Sequence, residues 1–203
     1  MLKKSYFMRM YNLNTYLLLL SFLTGFVGWC LGFLANSLAL TPHTPFNLSQ
    51  VNIYLSLGSY YSYLAMTYLL STLFVSVIIE ILIRIRFDSL LNYFKSIYHT
   101  FRLRNFLIQR EKSEKVTTIE NHTITTYNPI NGSFNRCTHK SVVDIRKDEV
   151  KVFIKVPKDQ QGQKILSDMT TQLKEEITSQ HPNYYFSAPN RLRNDLWLIG
   201  KRR

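Results

Sequence analysis

The most informative absence in this 203-residue sequence is that of charged side chains, since no Lys, Arg, Asp or Glu occurs between Arg9 and Glu80. Charged residues make up 19% of the chain, and a water-soluble fold needs polar surface on every side, so a soluble domain would not leave positions 10–79 without one. Hydrocarbon does exclude charge, because an ionised side chain at the bilayer centre costs about 2.5–3.5 kcal/mol. This segment predicts an integral membrane protein.

Cysteine and glycine are also scarce, and the motifs built on them are missing. The two cysteines, Cys30 and Cys137, lie in unlike parts of the sequence and cannot form a disulfide framework. None of the seven glycines belongs to a phosphate-binding loop, and no HExxH, GxSxG or paired CxxC occurs. Cys137 and His139, with His122 upstream, lack the spacing of a zinc site and of a nucleophile–base pair. We therefore expect no catalytic site, no metal and no cofactor.

Two apolar runs within the uncharged segment are long enough to span a bilayer, which takes about 20 residues. They predict transmembrane helices at residues 16–35 and 60–83. Between them, residues 36–59 predict an extracytoplasmic loop, because Pro42 and Pro45 disfavour helix there.

The basic residues predict the orientation. Lys3, Lys4 and Arg9 precede the first span, several Lys and Arg follow the second, and the loop contains none. Because short cytoplasmic segments carry the excess of Lys and Arg, residues 1–15 and the C-terminus are both predicted to be cytoplasmic. The predicted location is the cell membrane, with two passes.

After the second span, the apolar period of three and four residues continues through residues 84–110. It predicts one long helix from residue 60 to residue 110, with a bend near Phe87, whose later part is a basic amphipathic helix. Two interpretations of the apolar stripe remain open. It packs against the chain's own domain or another subunit, or it lies on the anionic inner leaflet, where each Lys or Arg contributes about 1 kcal/mol.

Two local patterns concern contacts of the predicted spans. Glu80 precedes Arg84 by four residues, the favourable order for a helical ion pair. Gly28 and Gly32 form a GxxxG pattern that allows another helix to approach closely, whether the second span or a second copy of the chain.

A charged linker at residues 111–115 leads to a predicted cytosolic α+β domain at residues 116–203. Two short β segments are predicted around Glu120–His122, and Asn131-Gly132 is read as a turn. The remaining order is β-β-α-β-β, with strands at 142–145, 150–156, 183–188 and 196–200. The helix covers 160–180, is capped by Asp159 and is ended by Pro182.

The net charge of the chain is +12, and from Arg84 onward 22 Lys and Arg stand against 12 Asp and Glu. Such a surface attracts anionic lipid, nucleic acid or acidic protein, and charge does not choose among them. Aromatic residues near the last strand suit base stacking, although we favour a core role for them. The candidate contacts to an anionic partner are Arg84, Arg86, Arg102, Arg104, Arg191, Arg193, Lys201, Arg202 and Arg203.

Three strings suggest a family likeness: PFNLSQ (Pro45–Gln50), RIRFDSL (Arg84–Leu90) and the strand–helix segment Lys147–Ile177. In layout and in these strings, the chain resembles the N-terminal membrane-anchoring region of FtsK/SpoIIIE-type DNA translocases, particularly coupling-protein relatives from Gram-positive conjugative elements. The ATPase motor of that family is absent. The resemblance implies a protein that docks on, or stands beside, a DNA-transfer or segregation machine at the membrane.

The leading hypothesis is a non-enzymatic accessory protein that holds a basic domain at the membrane for protein or DNA contacts, in a process such as conjugation. Its expected partners are membrane lipids and a protein or a second copy, with nucleic acid as a further candidate. The alternatives are a membrane-resident bacteriocin-immunity or phage-resistance protein, and a pure anchor or oligomerisation subunit.

Overall fold

The computed structural model describes residues 3–39, 49–109 and 129–203. These residues form two compact units, one of residues 9–82 and a second of residues 3–8 together with the described residues from 83 onward. The predicted linker, the β segments around Glu120–His122 and the prolines of the predicted loop lie outside the described residues.

Two long apolar helices dominate the first part of the chain. Helix α1 covers Tyr6–Ala39 and helix α2 covers Ser49–Phe87. Both predicted spans lie within these helices, but the helices are longer than the spans. Residues 36–39 and 49–59, predicted to be loop, are helical, because their Asn and Ser residues tolerate helix and the two prolines fall outside them.

The helical run after the second span is broken rather than continuous. Helix α2 ends at Phe87, Ser89 has extended backbone angles (φ −120°, ψ 140°), and helix α3 covers Leu90–Leu107. The predicted bend near Phe87 is therefore a break between two helices. Asp88 and Ser89 lie at this break. Residues of these two types are common just before a helix, because their short polar side chains favour non-helical backbone there.

The C-terminal domain contains helix α4 (Pro129–Thr138), strands β1 (Val142–Ile145) and β2 (Glu149–Lys155), and helix α5 (Gln160–Gln180). Strands β3 (Tyr184–Phe186), β4 (Asn190–Leu192) and β5 (Asp195–Arg202) follow. All pairings are antiparallel, in the order β1-β2-β5-β3, with β4 also paired to β5. The predicted helix 160–180 is confirmed to the residue, and Asp159 caps it by accepting a 2.8 Å bond from the Gly162 amide.

Two elements differ from the sequence predictions. The Asn131-Gly132 pair lies inside helix α4, which begins at Pro129, a residue well suited to a first helical turn. The side chain of Phe134 in this helix is buried in the core. Asn135 accepts a hydrogen bond from the amide of Gln109 and donates one to its carbonyl. Strand β4 was not predicted, because its three residues are exposed and its turn places Arg193 at φ 56°, a conformation that normally calls for Gly or Asn.

The core lies between one face of the sheet and helices α3, α4 and α5. The alternating residues Val150, Val152 and Ile154 of β2 meet Leu196 and Leu198 of β5, as the period of two predicts. The stripe of α5 contributes Leu173 and Ile177, with Leu166 beside them. Part of the other face of the sheet is buried as well. There Phe153 and Trp197 meet edge to face, and the Lys4 ammonium lies 3.6 Å from the centre of the Phe153 ring.

Candidate functional site

The two long helices are apolar and exposed along most of their length. Both are long and apolar enough to cross a membrane, with a mean hydropathy of 2.1 in their best 18-residue windows. Only 11% and 6% of these stretches is buried within the described protein, so neither helix is packed as a core helix of this chain. Large side chains such as Phe22, Phe26 and Phe74 are about two-thirds exposed.

The small residues of the GxxxG pattern face the second helix of the same chain. A Cβ built on Gly28 would lie 3.2 Å from Cβ of Ser62, and one on Gly32 would lie 3.0 Å from Oγ of Ser59. The buried Ser59 hydroxyl donates a 2.9 Å hydrogen bond to the carbonyl of Gly28. Of the two partners considered for this pattern, the structure favours the second helix of the same chain, because the glycines let its backbone and serines approach closely.

Helix α3 covers the free edge of the sheet with polar side chains. The buried Thr100 hydroxyl accepts a 3.0 Å bond from the amide of Val143 and donates a 3.2 Å bond to its carbonyl. Ser96 accepts a 2.9 Å bond from the amide of Ile145. Arg104 donates a 2.9 Å bond to the carbonyl of Ser141. These side chains take the place of a further strand, so the outward-facing backbone of β1 is satisfied.

This arrangement works because two repeats match. Four helical residues advance about 6 Å, and two strand residues advance about 6.6 Å. Steps of four along α3 therefore meet steps of two along β1. As the helix numbers fall through 104, 100 and 96, the strand numbers rise through 141, 143 and 145, so the two elements run antiparallel.

A buried charge cluster continues the same edge. The Arg84 guanidinium donates to Asp88 Oδ2 at 3.0 Å, to Asp144 Oδ1 at 2.5 Å and to the carbonyl of Ile145 at 2.8 Å. Asp88 in turn accepts a 3.0 Å bond from the amide of Lys147. The side chains of Arg84 and Asp144 are 1% and 0% exposed, so the ion pair is almost fully removed from water. It joins the end of α2 to β1.

These contacts change the assignment of Arg84. We predicted it as a contact to an anionic partner, but its guanidinium is buried and bound to two carboxylates of its own chain, so that prediction is wrong. The predicted ion pair between Glu80 and Arg84 joins residues of the two units, and it stays a prediction. The sequence signal that could have revealed the cluster is the acidic residue Asp88, four positions after Arg84.

The other predicted contacts from the helical segment have different surroundings. Arg86 is exposed beside the Phe87 ring. Arg102 is exposed and forms a 3.2 Å ion pair with Glu176. Arg104 is half-buried at the sheet edge.

The five predicted contacts around the last strand are exposed but form two groups. Arg191 and Arg193 lie at the turn between β4 and β5, and Lys201, Arg202 and Arg203 lie at the other end of β5. Lys201 lies six residues along the strand from Asp195, a distance of about 20 Å. The structure therefore places these residues in two basic patches.

The aromatic residues near this strand are mainly structural. Phe186 and Trp197 are buried, and the Tyr184 hydroxyl donates a 2.9 Å bond to the carbonyl of Arg146. Tyr185 is 71% exposed and lies opposite Lys201 in the register. The preference for a core role is therefore confirmed for Phe186 and Trp197, and Tyr185 is available for stacking beside a basic patch.

Two histidines meet between α3 and the end of α5. The rings of His99 and His181 have their centres 4.4 Å apart, and His99 Nδ1 lies 3.1 Å from the side-chain oxygen of Gln180. Burial, reinforced by the neighbouring His99, lowers the pKa of His181 to about 4, and burial also lowers the pKa of His99. A cavity of about 300 Å³, lined by Lys95 and both histidines, opens beside them.

No group of three or more His, Cys, Asp or Glu side chains with metal-binding geometry occurs in the part of the chain that the structure describes. Cys137 lies half-buried in α4, and His139 follows that helix. His122, the third member of the cluster considered from the sequence, lies outside the described residues. Comparisons with protein-family models, with curated proteins and with solved structures found no match to this chain.

Proposed function

We propose that this protein is a non-enzymatic membrane anchor and scaffold. Helices α1 and α2 cross the cell membrane, both termini are cytoplasmic, and the sheet domain is held at the inner leaflet for contacts with a protein or DNA. The observation that carries this proposal is the uneven distribution of charged residues along the chain. Residues 10–79 contain no charged side chain, and they form most of the two exposed apolar helices. Such helices are unfavourable in water and favourable in hydrocarbon.

The charge cluster supports a stable domain that begins directly after the second candidate span. Arg84 lies in the last turn of α2 and is bound to Asp144 in the sheet. Breaking a buried pair of this kind costs about 3–5 kcal/mol, so residues 83–87 at the end of α2 are a stable part of the same compact unit as the sheet.

The basic patch at residues 201–203 supports contact with an anionic partner. Within the described part of the chain, no carboxylate forms an ion pair with Lys201, Arg202 or Arg203. Together with the exposed Tyr185, they offer positive charge beside an aromatic face, which suits phosphate contact and base stacking. The resemblance of its sequence layout to the anchors of FtsK/SpoIIIE-type translocases is the basis for proposing a place in the DNA transfer of a mobile element, such as conjugation.

Membrane insertion is tested by fractionation of cells that produce the full chain. We expect the protein to resist alkaline extraction from the membrane pellet, and a reporter fused after Arg203 to report a cytoplasmic position. Recovery in the soluble fraction without detergent would refute the anchor, and an external reporter would refute the orientation.

DNA contact is tested by gel retardation with the full chain in detergent. The full chain is needed because residues 111–203 alone lack helix α3, which covers the sheet edge. We expect retardation at about 50 mM salt that weakens steeply as salt rises. Replacing Lys201, Arg202 and Arg203 by Gln should weaken binding and reduce the salt slope by up to about 2.7, at about 0.9 per phosphate contact.

The matched control replaces three exposed lysines elsewhere in the domain, Lys158, Lys164 and Lys174, by Gln. It removes the same charge, so an equal loss of affinity would indicate general attraction without a defined patch. If the unaltered chain does not retard DNA at low salt, DNA contact is excluded and the scaffold acts through a protein.

A further inference from the structure

Helix α3 has two opposite faces, and the apolar one points away from its own domain. Ser96, Thr100 and Leu103 are buried against the sheet. On the other side, Leu91, Phe94, Tyr98 and Phe101 recur at steps of three and four, and each is between 59% and 69% exposed. Helix α3 does pack on the core through Leu103 and Leu107, but this second apolar stripe lies on the side turned away from it. Among the described residues, these four side chains do not pack against the chain's own domain, so another subunit and the anionic leaflet remain as the interpretations of the stripe.

Basic residues lie along both borders of this exposed stripe. At about 100° per residue, Lys95 and Arg102 lie on one border and Arg104 lies on the other. Lys95 and Arg102 are exposed, while the guanidinium of Arg104 reaches back to Ser141. A large apolar strip edged by long cationic side chains fits an anionic phospholipid surface, because the stripe enters the acyl boundary and the cations meet the headgroups.

The stripe also begins where the candidate span ends. Helix α2 ends at Phe87, which is 72% exposed, and α3 starts at Leu90 after two residues. If α2 leaves the bilayer at this point, α3 is already at the membrane surface and loses little further translational freedom on binding lipid. A protein partner or a second copy would require a separate association.

We infer that helix α3 lies in the interface of the anionic inner leaflet, with Leu91, Phe94, Tyr98 and Phe101 in the headgroup–acyl boundary. The helix then has two functions, since one face completes the sheet and the other fixes the domain against the lipid. This inference rests on the proposed membrane insertion of α2. It adds a lipid-binding surface outside the two spans.

Spin-label accessibility in nanodiscs tests this inference with the full chain. In a Cys30→Ser, Cys137→Ser background, a nitroxide is placed at single cysteines that replace Leu91, Phe94 or Phe101. Collision with oxygen reports lipid, and collision with a water-soluble nickel chelate reports solvent. Labels at Phe26, an exposed residue of α1, and at Tyr185, an exposed residue of β3, serve as hydrocarbon and water references.

We expect the three stripe labels to be oxygen-accessible and chelate-shielded in nanodiscs that contain anionic phospholipid, and to shift toward the Tyr185 values in purely zwitterionic ones. Replacing Phe101 by Asp should shift a label at Phe94 toward water, whereas Tyr185→Asp should not. Stripe labels as chelate-accessible as the Tyr185 label would overturn the inference, and so would labels shielded from both reagents, because a protein or a second copy then covers the stripe. A chelate-accessible Phe26 label would instead refute membrane insertion, and the inference with it.

Discussion

The hydroxyl of Thr100 provides the sharpest test of the helix-covered sheet edge, and Thr100→Val is the decisive change. Valine has nearly the same shape but can neither accept from the Val143 amide nor donate to the Val143 carbonyl, bonds that measure 3.0 and 3.2 Å. Thr100 is 0% exposed, so water cannot replace the hydroxyl without a rearrangement.

The magnitude follows from two buried backbone groups left without partners. Each costs about 1–2 kcal/mol at the lower end of the usual range, and the added methyl group offsets about 0.8 kcal/mol of this. The expected loss in the free energy of unfolding is about 2 kcal/mol. For a chain of this size, it lowers the unfolding midpoint by about 4–8 °C and reduces protection of the β1 amides about thirtyfold.

The assay is thermal unfolding of the full chain in detergent, combined with hydrogen exchange followed by mass spectrometry of the peptide that contains residues 142–145. The matched control is Thr170→Val, because the Thr170 hydroxyl bonds only to the carbonyl of Leu166 in its own helix. Thr100→Ser, which keeps the hydroxyl, should retain most of the β1 protection. Equal stability of the Thr100→Val and Thr170→Val variants, with unchanged β1 exchange, would refute the role of α3 as a substitute strand.

Three further predictions follow from other contacts. Asp144→Asn should destabilise the domain by about 3–5 kcal/mol, because it breaks the buried ion pair with Arg84. Urea unfolding measures this loss, and the control Asp148→Asn, at an exposed position, should be nearly neutral. The pKa of His181 falls from 6.5 to about 4 on folding, so the unfolded chain binds more protons between these values and stability should fall as pH drops through that window. The midpoint of a His181→Gln variant should depend less on pH there, and an unchanged dependence would contradict the assignment. Gly32→Val should separate α1 from α2, because its Cβ would lie 3.0 Å from the Ser59 hydroxyl, and a longer spin-label distance across the helix pair would show this.

Local chemistry was sufficient to predict several elements from the sequence. The absence of charged residues at positions 10–79 is a property of the sequence that does not depend on the fold. The two apolar helices could therefore be predicted from composition alone. Asp159 and Pro182 mark the ends of α5 through capping and through the missing proline amide, both of which act within one turn. The alternation of Val150, Val152 and Ile154 predicts a strand with one core face for the same local reason.

Tertiary structure decided what the helical segment after the second span contacts. The period of apolar residues predicted a stripe on α3, but a period does not state which face meets the domain. That choice depends on β1, some forty residues later, whose free backbone groups require the hydroxyls of Ser96 and Thr100. In the sequence Arg84 is one basic residue among many, and only the fold brings Asp144 to its guanidinium. Charge and periodicity are properties of a short segment, whereas burial and pairing depend on residues distant in the chain, and only the folded structure brings these together.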